Sequence, residues 1–465
     1  MKRPIAITTL LAAALAGCTS LAPEYEQPPL PVAATFPDSA DAPAAQGAAP
    51  DVAWQRFFAG DPMLHKLIEQ ALQNNRDLRV AVLNIEVARA QWQVRRADQV
   101  PNLNAAAAAT RQTNADGGIT NAYVAGFQLP SFELDFFGRV ANLSDAALAQ
   151  YLGTEEARKT AQIALVAATA NAYIALRADE EALKLTQRTL ASREASRQLT
   201  RLRLDNGVAS ALDIVQADSL VEGARVANAA LKRQKAQDEN LLVLLVGAPI
   251  AFPLPGGEAF ATAATLPDVP AGLPSELLAN RPDIRQAEQQ LRAANANIGA
   301  ARAAFFPRIT LTASAGFASG DLLDLFKSGT LAWAFSPQLV LPIFDGGRNQ
   351  AVLDAARAQQ AISIAQYDKA IQSAFREVAD ALAGRATLTE QLQAQLAMAE
   401  AESTRLKLAN LRYETGVASY LDVLDSQRSY FVAQLAAVQA RQAQLQNQVT
   451  LYKVLGGGWT EPPRN

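Results

Sequence analysis

Side chains able to carry chemistry are few in this chain and poorly placed for catalysis. One cysteine, Cys18, and one histidine, His65, stand among 465 residues. That excludes disulfide frameworks and Cys/His metal sites. His65 follows Asp61-Pro62 in a short amphipathic segment and has no second histidine to assist it, so it reads as a partly exposed helix residue. No Gly-rich phosphate loop, nucleophile elbow or acid/base pair is visible, so the sequence argues against an enzyme and implies no cofactor. The carboxylates that do form a pattern sit at a corner that occurs twice. Leu202-Arg203-Leu204-Asp205-Asn206-Gly207-Val208-Ala209-Ser210-Ala211-Leu212-Asp213 returns as Leu411-Arg412-Tyr413-Glu414-Thr415-Gly416-Val417-Ala418-Ser419-Tyr420-Leu421-Asp422, displaced by 209 positions. Gly207 and Gly416 suit a left-handed turn, and Ser210 and Ser419 precede Asp213 and Asp422 at the spacing of a capping box. Asp425 lies three residues beyond Asp422 and shares its helix face.

The elements that hold these corners follow from the same duplication, because an internal repeat sets architecture. Asn75-Arg76-Asp77 and Asn280-Arg281-Pro282-Asp283 each open a helix that stops at proline, Pro101 and Pro307. After each proline the pattern alternates as a strand does: Ile309, Leu311, Ala313, Ala315 and Phe317 on one side, Thr310, Thr312, Ser314 and Gly316 on the other. Loops at 114–120 and 319–330 turn the chain back, as at Tyr123, Ala125, Phe127 and Leu129, giving one hairpin per half. Aromatic-rich exits follow, Phe132 to Phe137 and Trp333 to Phe344. Gly138-Arg139 and Gly347-Arg348 then lead into very long helices. Between Arg139 and Leu204 there is no proline, and Leu176, Leu183, Leu190 and Leu204 keep heptad spacing, which predicts a helix roughly 100 Å long. The fold class is mainly α with a small β part: duplicated long helical hairpins plus two β-hairpins per chain. Domain bounds are 1–17 for a leader, 18–60 for a Pro/Ala-rich tether, 61–247 and 275–456 for the repeats, 248–274 for a linker and 457–465 for a tail. The tether, with Pro23, Pro28, Pro29, Pro31 and Pro37, reads as an extended segment without a core.

A net charge of −3 with no basic face argues against a nucleic-acid partner. Lys2 and Arg3 precede a short apolar run from Ile5 to Leu15, too brief to span a bilayer. Leu15-Ala16-Gly17-Cys18 resembles a bacterial lipoprotein signal, which implies a covalent lipid on Cys18. Each buried acyl methylene adds about 0.8 kcal/mol to anchoring. Thr19 is not the aspartate that marks inner-membrane retention, so outer-membrane lipid is the expected destination. No apolar run of membrane-spanning length is expected after the leader. Four strands cannot close a barrel and an open edge is forbidden in lipid, so several chains must pool strands; two, three or four copies all suffice.

The chain resembles the outer-membrane efflux proteins of the TolC/OprM type, in the lipoprotein branch serving resistance-nodulation-division (RND) pumps. The matching residues are the leader cysteine motif, Arg281-Pro282-Asp283, Ala300-Ala301-Arg302 before Phe306-Pro307, Phe344-Asp345-Gly346-Gly347-Arg348, and Tyr413-Glu414-Thr415-Gly416 before Leu421-Asp422-Val423-Leu424-Asp425. The resemblance implies a homotrimer in which three chains build a twelve-stranded barrel continued by a twelve-helix periplasmic tunnel. It implies an exit duct for small toxic compounds, working with an inner-membrane RND transporter and a periplasmic adaptor. The adaptor would dock on Gly207, Val208, Ala209 and Ser210 and on Gly416, Val417, Ala418 and Ser419. Asp422 and Asp425 would ring a gate, six carboxylates in a trimer, and Tyr413 with Asp213 would hold it shut. Ala418 stands where some members carry an arginine. An exit duct of type I protein secretion shares the fold, and a structural periplasmic lipoprotein is the alternative outside transport.

Overall fold

The computed structural model describes residues 20–36, 52–250, 260, 266, 267, 269 and 275–459. Cys18, the leader and most of the linker therefore lie outside the described residues. In chain order the elements are α1 (Trp54–Phe57), α2 (Pro62–Asn74), α3 (Arg76–Ala97), β1 (Asn104–Thr113), β2 (Ile119–Leu134), α4 (Arg139–Asp205), α5 (Ala211–Val246), α6 (Glu276–Asn280), α7 (Pro282–Ala303), β3 (Arg308–Ser319), β4 (Leu331–Val340), α8 (Arg348–Glu414) and α9 (Tyr420–Val454). The duplication is visible in lengths: α4 and α8 have 67 residues each, and α3 and α7 have 22 each. Trp333 and Phe335, expected in an aromatic exit, belong to β4 itself.

The chain divides into two compact units. The first holds residues up to Pro29, Val82–Glu156 and Arg285–Ala370. Its four strands form one antiparallel sheet ordered β1-β2-β3-β4, so β2 pairs with β3 and the two expected hairpins merge. Directly paired residues share a face. One face is apolar across all four strands: Ala107 opposite Ala125, Ala125 opposite Phe317, and Phe317 opposite Leu331, with Phe127, Ala315 and Trp333 in the next row. The other face carries Gln128, Ser314 and Ala334. Gly126 faces Gly316, where a Cβ on either would come within 2.6 Å of the other's Cα. The sheet shifts register between Leu129 and Phe132, and Thr312 Oγ1 donates to the Pro130 carbonyl at 3.1 Å there.

Below the sheet the helices touch through alanine, as at Ala146, Ala149, Ala293 and Ala296. Small side chains let backbones approach closely. Residues 20–29, read as tether, carry no helix or strand but are held by side chains of the helices. Ser20 Oγ donates to Asn142 Oδ1 at 2.7 Å, Asn295 Nδ2 to the Pro23 carbonyl at 2.8 Å, and Tyr25 OH to Glu288 Oε1 at 3.1 Å. A proline-rich strand lacks a core of its own, but its free carbonyls are good acceptors for amide side chains.

The second unit holds Leu30–Ala81, Ala157–Ile284 and Ile371 onward. Its core includes Ala71, Leu78 and Leu165, and the Phe57 ring stacked on Tyr452 at 4.1 Å. His65 is half-buried and its ring lies 4.8 Å from that of Trp54. Of the heptad leucines only Leu176 is fully buried. One 18-residue window of α4 does have the length and hydropathy of a membrane span, against the sequence expectation. It is 72% buried within the molecule, so its alanines and leucines serve the core.

Candidate functional site: the duplicated corner

Both corners lie in the second unit, and each is built by its glycine. α4 ends as the Val208 amide donates to the Arg203 carbonyl at 2.8 Å and the Gly207 amide to Leu204 at 2.9 Å. α8 ends the same way, with Val417 to Arg412 at 2.9 Å and Gly416 to Tyr413 at 3.0 Å. Gly207 and Gly416 have φ of 72° and 75°. Nothing would touch a Cβ at either glycine, so the left-handed backbone alone selects the residue. The turns leave Val208 and Val417 facing solvent, 77% and 68% exposed. Ala209 and Ala418 are half-buried, and Ser210 and Ser419 open the returning helices.

Asp213 and Asp422 form the capping boxes their spacing predicts. Asp213 Oδ2 accepts from the Ser210 amide and Oγ, both at 2.8 Å, and the Asp213 amide donates back to Ser210 Oγ at 3.2 Å. Asp422 Oδ2 accepts from the Ser419 amide and Oγ, both at 3.2 Å. Asp425 Oδ2 accepts from Arg405 Nη2 at 2.6 Å, and its Oδ1 from Arg428 Nη2. Arg405 beside it, helped by Arg428, holds the Asp425 carboxyl below the usual carboxylate range. Arg405 also contacts Glu402 at 3.2 Å. None of the three aspartates is therefore a bare charge within the chain. Within the single chain Asp213 is turned back on its own helix end rather than toward Tyr413. The Tyr413 hydroxyl accepts from Arg203 Nη1, the Arg203 guanidinium lies 5.1 Å from the Tyr413 ring centre, and the Tyr420 ring lies tilted beside it, 5.2 Å between centres.

Sequence reasoning missed Arg203, Arg405 and Arg428. Arg428 stood three residues after Asp425 and was open to a helix-spacing argument. Arg405 lies 20 residues before Asp425, across the hairpin, and Arg203 lies 210 residues before Tyr413, in the other repeat. Only helix pairing brings them in. Beside the second corner, Leu408, Ala401 and Ala418 line a groove together with Arg405 and Asp422.

The apolar sheet face, the long helical hairpins and the twin corners agree with what the chain is similar to. Residues 67–248 and 273–457 both match the family described as outer membrane efflux protein. The chain is 47% identical over 471 residues to the probable efflux pump outer membrane protein TtgC of Pseudomonas putida, covering 98% of this chain and 95% of that one. It is 46% identical to outer membrane protein OprJ of Pseudomonas aeruginosa, over 99% and 98% of the two chains. The open state of the Neisseria gonorrhoeae MtrE outer membrane channel superposes with a TM-score of 0.88 at 41% identity, over 96% of this chain and all of that one. The chain belongs to the outer membrane efflux protein family and is an outer-membrane channel component of efflux transport.

Proposed function

We propose that three copies of this chain form the exit duct of a tripartite pump that expels small toxic compounds. The observation that carries this reading is the sheet. It has one continuous apolar face, a polar and small-residue face behind it, and two outer edges, β1 and β4, with no strand partner among the described residues. An apolar exterior over a polar interior is the pattern of a lipid-embedded barrel. Unpaired edges are intolerable in lipid, so β4 of one copy must pair with β1 of the next. TtgC and its relatives are named as pump components, which supports an inner-membrane RND transporter and a periplasmic adaptor as partners. The exposed valines of the two corners suit a docking tip, and the Arg203–Tyr413 and Arg405–Asp425–Arg428 contacts suit a latch near the mouth.

A lipid on Cys18 fits the same placement. Ser20 Cα lies 3.1 Å from where a Cβ on Gly138 would sit, at the junction of sheet and helix. Ser20, two positions after Cys18 in the sequence, thus lies at the level where the bilayer surface would run.

The test is an outer-membrane preparation run on denaturing gels with and without boiling. The expected outcome is a trimer-sized band that collapses to monomer on heating, with radiolabelled palmitate incorporated in the parent and lost in Cys18→Ser. A protein that stays monomeric in unboiled outer membranes would sink the barrel reading.

A further inference from the structure

One acidic pair, Asp238 buried and Asp179 half-buried, lies apart from the corners. Asp179 on α4 faces Asp238 on α5 across the seam of the first helical hairpin. Asp238 is 7% exposed. Gln234 Nε2 donates to its Oδ1 at 3.1 Å, while its Oδ2 is buried without a donor among the described residues; the Asp179 carboxyl lies within hydrogen-bonding reach of the Asp238 side chain. Two carboxylate oxygens can share a hydrogen bond only if a proton lies between them.

The surrounding charges are engaged elsewhere. On α4, Arg177 turns to the Tyr173 hydroxyl at 3.1 Å, and Glu180 binds Lys235 at 3.0 Å. On α5, Lys235 also contacts Glu239 at 3.6 Å. Asp61, before α2, accepts from the Met63 and Leu64 amides. α9 runs beside α4, where Gln446 reaches the Asn171 carbonyl and the Arg193 guanidinium lies over Phe431. Between those points its one charged residue, Arg441, donates to Gln444 at 2.7 Å. Among the described residues, burial first and then Asp238 push the Asp179 carboxyl up to about 7.

The second copy supplies an internal control. The positions equivalent to Asp179 and Asp238 are Leu388 and Asn447, and Asn447 Nδ2 donates to the Ala381 carbonyl at 3.0 Å. The same seam is thus closed in one hairpin by a neutral amide and in the other by two acids.

We propose that Asp179 and Asp238 hold one shared proton and make the α4–α5 seam of the first hairpin respond to the pH around it. With the proton present, Asp179 donates to Asp238 Oδ2 and the seam is satisfied. When the proton leaves to solvent, two like charges, one of them buried, face one another and the helices are driven apart. The sign follows from the shift. Folded Asp179 binds its proton more tightly than an unfolded aspartate, whose ordinary value is 3.8. Stability therefore falls as pH rises from about 4 to about 7 and is level above that.

The inference stands apart from any role of the corners, because its readouts are protonation and hairpin stability. The full-length protein in detergent is titrated from about pH 5 to pH 8 and followed by infrared spectroscopy and thermal melting. A carboxylic-acid carbonyl band is expected at pH 6, bleached by pH 8, and weakened in both Asp179→Asn and Asp238→Asn. Both variants should flatten the fall in melting temperature over the same range and melt above the parent at pH 8, by several degrees. Asp238→Asn reproduces what the second copy already tolerates at Asn447, which guards against a variant that merely fails to fold. An unchanged band in both variants, a parent lacking the band at pH 6, or a melting profile that moves with sodium or calcium concentration would each overturn the proposal.

Discussion

Arg281 offers the sharpest test of how the second unit is held together. Its side chain is 10% exposed and its donors fan out to three elements. Nε and Nη2 form a fork on Asp283 at 3.0 and 2.6 Å, Nη2 also reaches Glu377 on α8 at 2.9 Å, and Nη1 donates to the Val454 carbonyl at the end of α9 at 3.1 Å. Replacing it by methionine keeps the stem and removes every donor. Losing one partner of a fully buried ion pair costs about 3–5 kcal/mol. Here the cost is smaller, because Asp283 and Glu377 are 35% and 38% exposed and can regain water. Val454 is 3% exposed, so its carbonyl cannot, and an unsatisfied buried acceptor costs about 1–3 kcal/mol. The sum for Arg281→Met is about 2–4 kcal/mol. Arg281→Lys keeps the charge but loses the planar fork, and should cost about half as much. Because detergent-solubilised proteins of this size commonly unfold irreversibly, the variants are compared as melting temperatures at one scan rate. The expected order is parent, then Arg281→Lys, then Arg281→Met. The reasoning is refuted if Arg281→Met melts with the parent, or if Glu377→Gln, which leaves the fork and the Val454 bond intact, is as damaging.

Two further outcomes follow from the sheet and the second corner. Gly126→Val or Gly316→Val should prevent the β2–β3 pairing and abolish heat-sensitive trimers, since the added Cβ would meet backbone at about 2.5 Å; Gly117→Ala, at a positive φ with open space, should cost only about 1 kcal/mol and still assemble. Asp422→Ala combined with Asp425→Ala should raise single-channel conductance in planar bilayers and weaken block by multivalent cations. Arg405→Ala, which unmasks Asp425, should strengthen that block. Equal block in the parent and both variants would remove these charges from the conduction path.

Punctuation made most of the fold legible. Gly207, Gly416, Pro101 and Pro307 end elements for steric reasons that act locally, so sequence alone places the helices and corners. The strands declare themselves by alternation, as from Ile309 to Phe317, and each hairpin is local as well. The merging of the hairpins was not legible. It depends on Gly126 meeting Gly316 and on a register shift at Pro130, and neither leaves a periodic trace. Residues 20–29 were hidden for the opposite reason. Composition reports that they have no core, but their bonds come from Asn142, Glu288 and Asn295, more than a hundred positions away. At the site, cap geometry was readable from Ser-x-x-Asp spacing, while the cation partners of Tyr413 and Asp425 needed the helices to be packed first.

The two copies of the corner also separate what duplication preserves from what it releases. Residues that shape the turn are kept in both: Gly207 and Gly416, Ser210 and Ser419, Asp213 and Asp422. Residues that carry a net interaction are mostly not, Arg203 and its counterpart Arg412 excepted. Arg405, Asp425 and Arg428 correspond to Ser196, Gln216 and Ser219, and Tyr413 corresponds to Leu204. The acidic pair runs the other way, present in the first copy and replaced by Leu388 and Asn447 in the second. A charge cluster is stable only where every member finds its partner, so it is lost or gained as a set, whereas a cap needs only its own helix end. Duplicated hairpins can therefore share one backbone and still differ in what loosens them: removal of a cation partner at the second corner, removal of a proton along the first seam.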